Sequence, residues 1–447
     1  MFFGVLPDRC VQGKMNLTTR SDRTCSEEGT VKKNNNKLQL SAVIALMITS
    51  FCVGIVYIWS AFKISAVEYY SWTSSSANMV PSIMLFAFTA GSFAGGYLQD
   101  RIGPKKTSFI GIFLFGGGIF ISSLLSPNTP IAVFYMTYGV IAGIGSGFVF
   151  SSTLNGIQKW FPDRLGLASG LGAASFGLST VVFSPVCSAL LSRFNVAVTL
   201  RILAVFAFAI ALTACFFIKL PCAEYTQERI AHASGRKVTT ESKNLGEAMR
   251  MPKFWLFFLC LFFYNGTWNM LTPLIKGLGM ERGLAEGMAI LCLSMTGIAN
   301  TLGRIIMAPL SDRLGRINTM FLLCGITAVS AMGLTAMTGA GYFAIVLLTA
   351  FSYGGPAAVY PALCTDMFGP KYSGRNYGFL MLGLGLSSVI FNVISNGLYG
   401  AFGSYLPTFA MGLGTAVITF VLFMVIRKMS PSSAELRITA AVQPAEA

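Results

Sequence analysis

The sequence predicts an all-α membrane protein: twelve transmembrane helices in two six-helix bundles, with both termini cytoplasmic. Three observations carry this. Charged residues make up only 11% of the 447 positions while apolar ones make up 54%, and the mean hydropathy is +0.66; soluble domains carry about 25% charged residues. Apolar runs of about 20 residues, the length that crosses a bilayer core, recur on both sides of one long polar stretch. The basic residues fall on alternate connections between those runs.

Taken in order, residues 1–39 are polar and include the lysine-rich "KKNNNK" at 32–37. The opening "MFFGVL" is too short, and lacks the basic flank, for a secretory signal. A disordered cytoplasmic tail is expected there. Spans are expected near 40–62, 78–98, 107–126, 131–154, 165–191 and 198–218, giving a first bundle over 40–218. The charged stretch 219–253 reads as a cytoplasmic linker. Spans resume near 254–275, 287–310, 318–338, 341–364, 377–401 and 405–426, giving a second bundle over 254–426. A cytoplasmic tail, 427–447, closes the chain.

Charge tests this topology independently. With both termini inside, the inner segments hold 26 of the 32 Lys and Arg and the outer loops hold five, Arg304 being the remaining one. Such a bias is the positive-inside pattern. It also accounts for the net charge of +15 without a nucleic-acid partner, because the cations face an anionic leaflet. The ten cysteines are scattered with no C-x-x-C pair, and the one histidine, His232, lies in the linker. No metal, cofactor or nucleophilic triad is expected from such a set, and no phosphate-binding G-x-x-x-x-G-K-[ST] loop is present. An enzyme and an ATP-driven pump are both disfavoured.

The halves repeat one motif. "GGYLQDRIGPKK" follows the second span and "APLSDRLGRI" follows the eighth. Asp100 and Arg101 thus match Asp312 and Arg313, each pair closing the second helix of its half. Gly103 and Gly315 supply a residue free to take positive φ just past a helix end. Asp, Arg and the following Arg316 can bond helix ends and neighbouring helices, holding the cytoplasmic side shut in one state. Such a loop, twice in a six-plus-six chain, resembles the major facilitator superfamily. That resemblance implies two bundles with substrate bound between them near mid-membrane and reached by alternating access. "KWFPDRLGLASGLGAASFGLS" (159–179), "MPKFW" (251–255), "PLSDRLGR" (309–316) and "FGPKYSGRNYGF" (368–379) are similar to the oxalate/formate antiporter family. Within them Asp163 and Arg164 mark an inner loop. Gly166, Gly170, Gly172 and Gly177 are expected to give span 5 a smooth face, as Gly378, Gly383 and Gly385 do for span 11. Such faces let two bundles rock against each other.

Arg304 interrupts the apolar run of span 8. It lies eight residues before Asp312, so its backbone is ~12 Å from that end at 1.5 Å per residue. Side chains lean toward their helix's N-terminus, which aims Arg304 at the membrane centre. A charge at depth needs a wet cavity or a counter-ion, and no Asp or Glu lies inside any expected span; Glu68, Glu286 and Asp366 sit at edges. Two readings stay open: a substrate anion, whose carboxylate the planar guanidinium fits, or an interhelical role through backbone carbonyls. The resemblance adds that Arg304 matches the span-8 arginine that binds anionic substrate in this family. Carriers of the oxalate dianion have a lysine where Leu384 stands here. Family pocket aromatics fall on Tyr57, Phe150 and Tyr353, while Phe176 and Ala357 stand where a tyrosine would lend a hydroxyl. Asn155 and Asn265 read as helix–helix hydrogen-bonding residues. The expected function is secondary transport of a small organic anion, a monocarboxylate, by a monomer in the plasma membrane. Oxalate/formate-type exchange and a transporter-like anion sensor remain as alternatives.

Overall fold

The computed structural model describes residues 24–221, Tyr225 and residues 242–429. The expected tails up to residue 23 and from residue 430, and the linker residues 222–224 and 226–241, lie outside them. Every described element is helical, with no strand among the described residues. In chain order the long helices are α1 (Thr24–Val53, continued by the 3-10 turn Gly54–Ile58 and by Trp59–Tyr70), α2 (Ser74–Ile102), α3 (Pro104–Ser122), and α4. The last of these runs as Ile131–Phe134, a π-helical segment Tyr135–Ile141, and Ala142–Trp160. Then come α5 (Leu165–Leu191) and α6 (Val196–Phe216), the short helix Leu245–Met249, and α7. This seventh helix is broken into Pro252–Tyr264, Gly266–Leu271, the 3-10 turn Thr272–Leu274, and Ile275–Glu281. The remainder are α8 (Glu286–Leu314), α9 (Arg316–Ala336), α10 (Gly339–Phe368), α11 (Ser373–Phe402) and α12 (Leu406–Met429).

Among the described residues, eleven helices are long and apolar enough to cross a membrane. The remaining long helix, α3, begins with Lys105 and Lys106, which dilute a 19-residue segment that is otherwise apolar. It packs against α4 and α6, where the third expected span belongs. One expectation is corrected. Helix begins at Thr24, so residues 24–39 are not the disordered tail their polarity suggested. Adding a residue to an existing helix needs no new nucleus, so helix can extend past the apolar run. The chain divides into two units, Met1–Leu40 and Ser41–Ala447; both six-helix halves lie in the second.

Caps show why the helices stop where they do. Gly103 and Gly315 have φ of +85° and +88° and join α2 to α3 and α8 to α9 through a single residue. Pro104 follows at the first position of α3, where its missing N–H costs nothing. Asn195 caps α6 by accepting from the Val198 N–H at 2.9 Å. Within the second half, Pro356 sits inside α10 and cannot donate to the Ser352 carbonyl one turn back. The Tyr264 hydroxyl donates to that carbonyl instead, at 3.0 Å.

The halves meet chiefly along α2 with α11 and α5 with α8, and α5 also packs on α10. Glycines bring the backbones together. A Cβ on Gly170 would lie 2.3 Å from the Ala308 Cβ, and one on Gly378 would lie 2.6 Å from the Phe93 Cα. Gly166 and Gly177 also face α8, and Gly385 faces α2. The expected smooth faces are therefore narrower than the glycine count suggested. Gly172 points at Leu154 of α4 and Gly383 at Phe258 of α7, both within their own halves.

Candidate substrate site

A cavity of about 30 Å³ lies where the halves meet, room for roughly two or three waters. Its two sides differ in chemistry. The first half contributes Phe88, Phe150 and Phe176, whose ring centroids lie 5.1–5.4 Å apart. Among the described residues, every polar lining side chain comes from the second half: Arg304, Asn265, Tyr353, Tyr360 and Tyr377. Leu261, Pro356, Ala357, Met381 and Leu384 complete that side. Tyr353 is held by stacking on Trp268, with centroids 5.1 Å apart and planes 20° from parallel.

Arg304 is 5% exposed and reaches across to the other half. Its Nη1 donates to the Ala173 carbonyl of α5 at 2.5 Å. Two glycines permit this. Gly303 lets α8 press against α10, since a Cβ there would lie 2.1 Å from the Phe351 carbonyl oxygen. Gly177 leaves space for the guanidinium, from which a Cβ would be 3.2 Å away. The interhelical role through a carbonyl is thus realised. The same guanidinium also lines the cavity.

Beyond the cavity, at the end that carries Gly103 and Gly315, a polar layer joins the halves. Asp312 accepts from the backbone N–H of Gly166 and of Leu167, at 3.2 and 2.9 Å, at the start of α5. A carboxylate is favoured there because helix N-termini carry unbonded N–H groups and positive dipole ends. Arg316 braces Asp312 at 2.8 Å and also pairs with Asp366 at 3.0 Å. In the other hairpin, Asp100 pairs with Arg375 of α11 at 3.2 Å, and that guanidinium stacks on Tyr97 and Tyr372. The Thr365 hydroxyl donates to Gln158 Oε1 at 2.9 Å, and the Ser373 hydroxyl to Asn155 Oδ1 at 2.6 Å.

Several expected residues come together and others do not. Arg304, Phe150, Phe176, Tyr353 and Leu384 all line the cavity. Tyr57 sits on the 3-10 turn Gly54–Ile58, with its side chain outside those described. Asp100, Asp312 and Arg316 hold the polar layer. Arg101 instead bonds Tyr97 on its own helix, and Arg313 is exposed, so neither motif arginine joins the halves. Arg164 is largely exposed and lies 3.7 Å from the neighbouring Asp163. Asn155 makes the helix–helix bond expected of it, but Asn265 bonds within its own helix and faces the cavity. Arg375 and Phe88 were missed. Arg375 lies inside a quoted motif, yet only the fold brings it to Asp100; Phe88 is one phenylalanine among 37.

Comparison with known proteins places this geometry. The family model of the Major Facilitator Superfamily matches residues 42–360. The chain is 28% identical over 387 residues to the oxalate:formate antiporter of Oxalobacter formigenes, covering 85% of this chain and 88% of that protein. It is also 28% identical over 371 residues to YhjX, an uncharacterized MFS-type transporter of Escherichia coli (strain K12), covering 80% and 87%. Among solved structures it is similar to the transporter FucP in the outward conformation, with a TM-score of 0.66 at 16% identity over 87% of this chain and 99% of that one.

Proposed function

The chain belongs to the major facilitator superfamily, and from that premise we propose that this integral membrane transporter carries a small organic monocarboxylate by alternating access. The observation that carries the reading is one cavity with a buried guanidinium on one side and a wall of three phenylalanines on the other. Among the described residues, Arg304 is the only Lys or Arg that lines it. A monocarboxylate leaves that pair neutral and rests its apolar end on Phe88, Phe150 and Phe176. A dianion would keep about one uncompensated charge out of water, which is costly. Leu384, an apolar side chain, stands where the second charge would need a partner.

The polar layer at the hairpin end acts as one gate. While Asp312 caps α5 and Arg375 holds Asp100, that end stays closed; separating α5 from α8 and α2 from α11 opens it. At about 30 Å³ the cavity must widen to admit a ligand. Uptake of labelled formate, lactate, pyruvate and oxalate into vesicles holding the purified protein tests the proposal. Monocarboxylate flux should exceed oxalate flux. A preference for oxalate, or undiminished flux with Arg304→Gln, would overturn it.

A further inference from the structure

One group on the cavity wall has chemistry opposite to that of Arg304. Asn265 stands at the break in α7, between Pro252–Tyr264 and Gly266–Leu271. In an unbroken helix its backbone N–H would donate to the Leu261 carbonyl. Here that N–H turns toward the Phe263 carbonyl, and the side-chain Nδ2 takes the Leu261 carbonyl at 2.6 Å. A side chain that competes for a backbone partner interrupts the helix.

The same bond fixes the carboxamide. A carbonyl accepts only from the nitrogen end of an amide, so the nitrogen faces Leu261 and the oxygen is the end turned away. No described residue donates to Asn265 Oδ1. The residue is 4% exposed and lines the cavity that holds Arg304. Arg304 can only donate hydrogen bonds; Oδ1 can only accept them.

We propose that Asn265 Oδ1 accepts a hydrogen bond from a hydroxyl of the substrate, so that the preferred ligand is a small hydroxy monocarboxylate. Its carboxylate lies on Arg304, which makes the assignment rest on the function proposed above. A keto oxygen in the hydroxyl's place brings two acceptors face to face. An unsubstituted acid leaves Oδ1 without a donor inside a poorly hydrated cavity, where a missing partner costs more than in water.

Lactate, pyruvate and propionate share one skeleton and one carboxylate and differ only at the second carbon. Competition of each against radiolabelled propionate, on the full-length protein in proteoliposomes, reads the assignment directly. Lactate should bind about tenfold tighter than the other two, the value of one well-made hydrogen bond. Asn265→Leu should bring the three to within about twofold. Equal binding of all three to the wild type, tighter binding of pyruvate, or an unchanged ranking in Asn265→Leu each overturns the proposal. The wild-type ranking decides alone if the variant does not assemble. Should none of the three bind, the reading of Arg304 as a carboxylate site falls as well; should they bind unranked, only the role of Asn265 falls.

Discussion

At position 177 the absence of a methyl group decides whether a guanidinium can sit between two helices. Arg304 fills the space beside Gly177 and bonds the neighbouring carbonyl of Ala173. A lysine at 304 keeps the charge but loses the planar fork that can serve a carbonyl and a carboxylate together. Arg304→Lys should therefore lower monocarboxylate transport about tenfold or more, with the protein still folded; near wild-type uptake would remove the fork from the account. Leu384→Lys adds a second cation to the same cavity. It should raise oxalate binding relative to lactate in competition assays, and an unchanged ratio would mean that charge does not set the preference. Both residues were legible in the sequence, because one cation in an apolar run, and one apolar side chain where the related family has a lysine, stand out. Phe88, Tyr360 and Tyr377 were not legible. Aromatic residues fill every span, and only the fold selects the few that converge.

Helix ends are legible in the sequence where chemistry marks them. The span at 165–191 matches α5 to the residue, and both Asp-Arg hairpins end in a positive-φ glycine. The interruptions in α1 and α4 carry no proline, whereas α7 is marked by Asn265-Gly266 and Pro273. The break at Asn265 depends on which donor wins one carbonyl, and the π-helical segment of α4 contains no proline. Two substitutions test the helix pairs. Asp312→Asn weakens the acceptor of two backbone N–H groups and half-strips Arg316 of its partners, shifting the balance away from the closed hairpin end by about 1–3 kcal/mol. Transport should fall while the protein remains folded in the membrane; wild-type flux would take Asp312 out of the gate. Gly170→Ala drives a Cβ to 2.3 Å from Ala308 and should cost about 1–3 kcal/mol of stability through overpacking. Gly117→Ala, with nothing within 4 Å, is the control, and its thermal melting point should hold or rise. Equal melting points for the two variants would contradict the close contact of α5 with α8.

On the scale of the whole molecule, topology follows from where 26 basic residues fall against five. A cysteine placed by Gly235→Cys, in the linker outside the described residues, should react with an impermeant maleimide only after the cells are opened. Labelling of intact cells would invert the topology. The six-plus-six plan was legible because each crossing needs its own apolar run. The motif's part in closing one end was legible as well, but its partners were not, since they come from different halves that meet only in space, such as Asp100 and Arg375 or Gln158 and Thr365. The unequal walls of the cavity have a further consequence. Because every polar lining group among the described residues belongs to the second half, the proposed cargo would be gripped by one bundle while the other slides past it as a greased face. Grip and stroke are then separable: changes in the second half should appear mainly as altered affinity, and trimming Phe150 or Phe176 mainly as altered turnover.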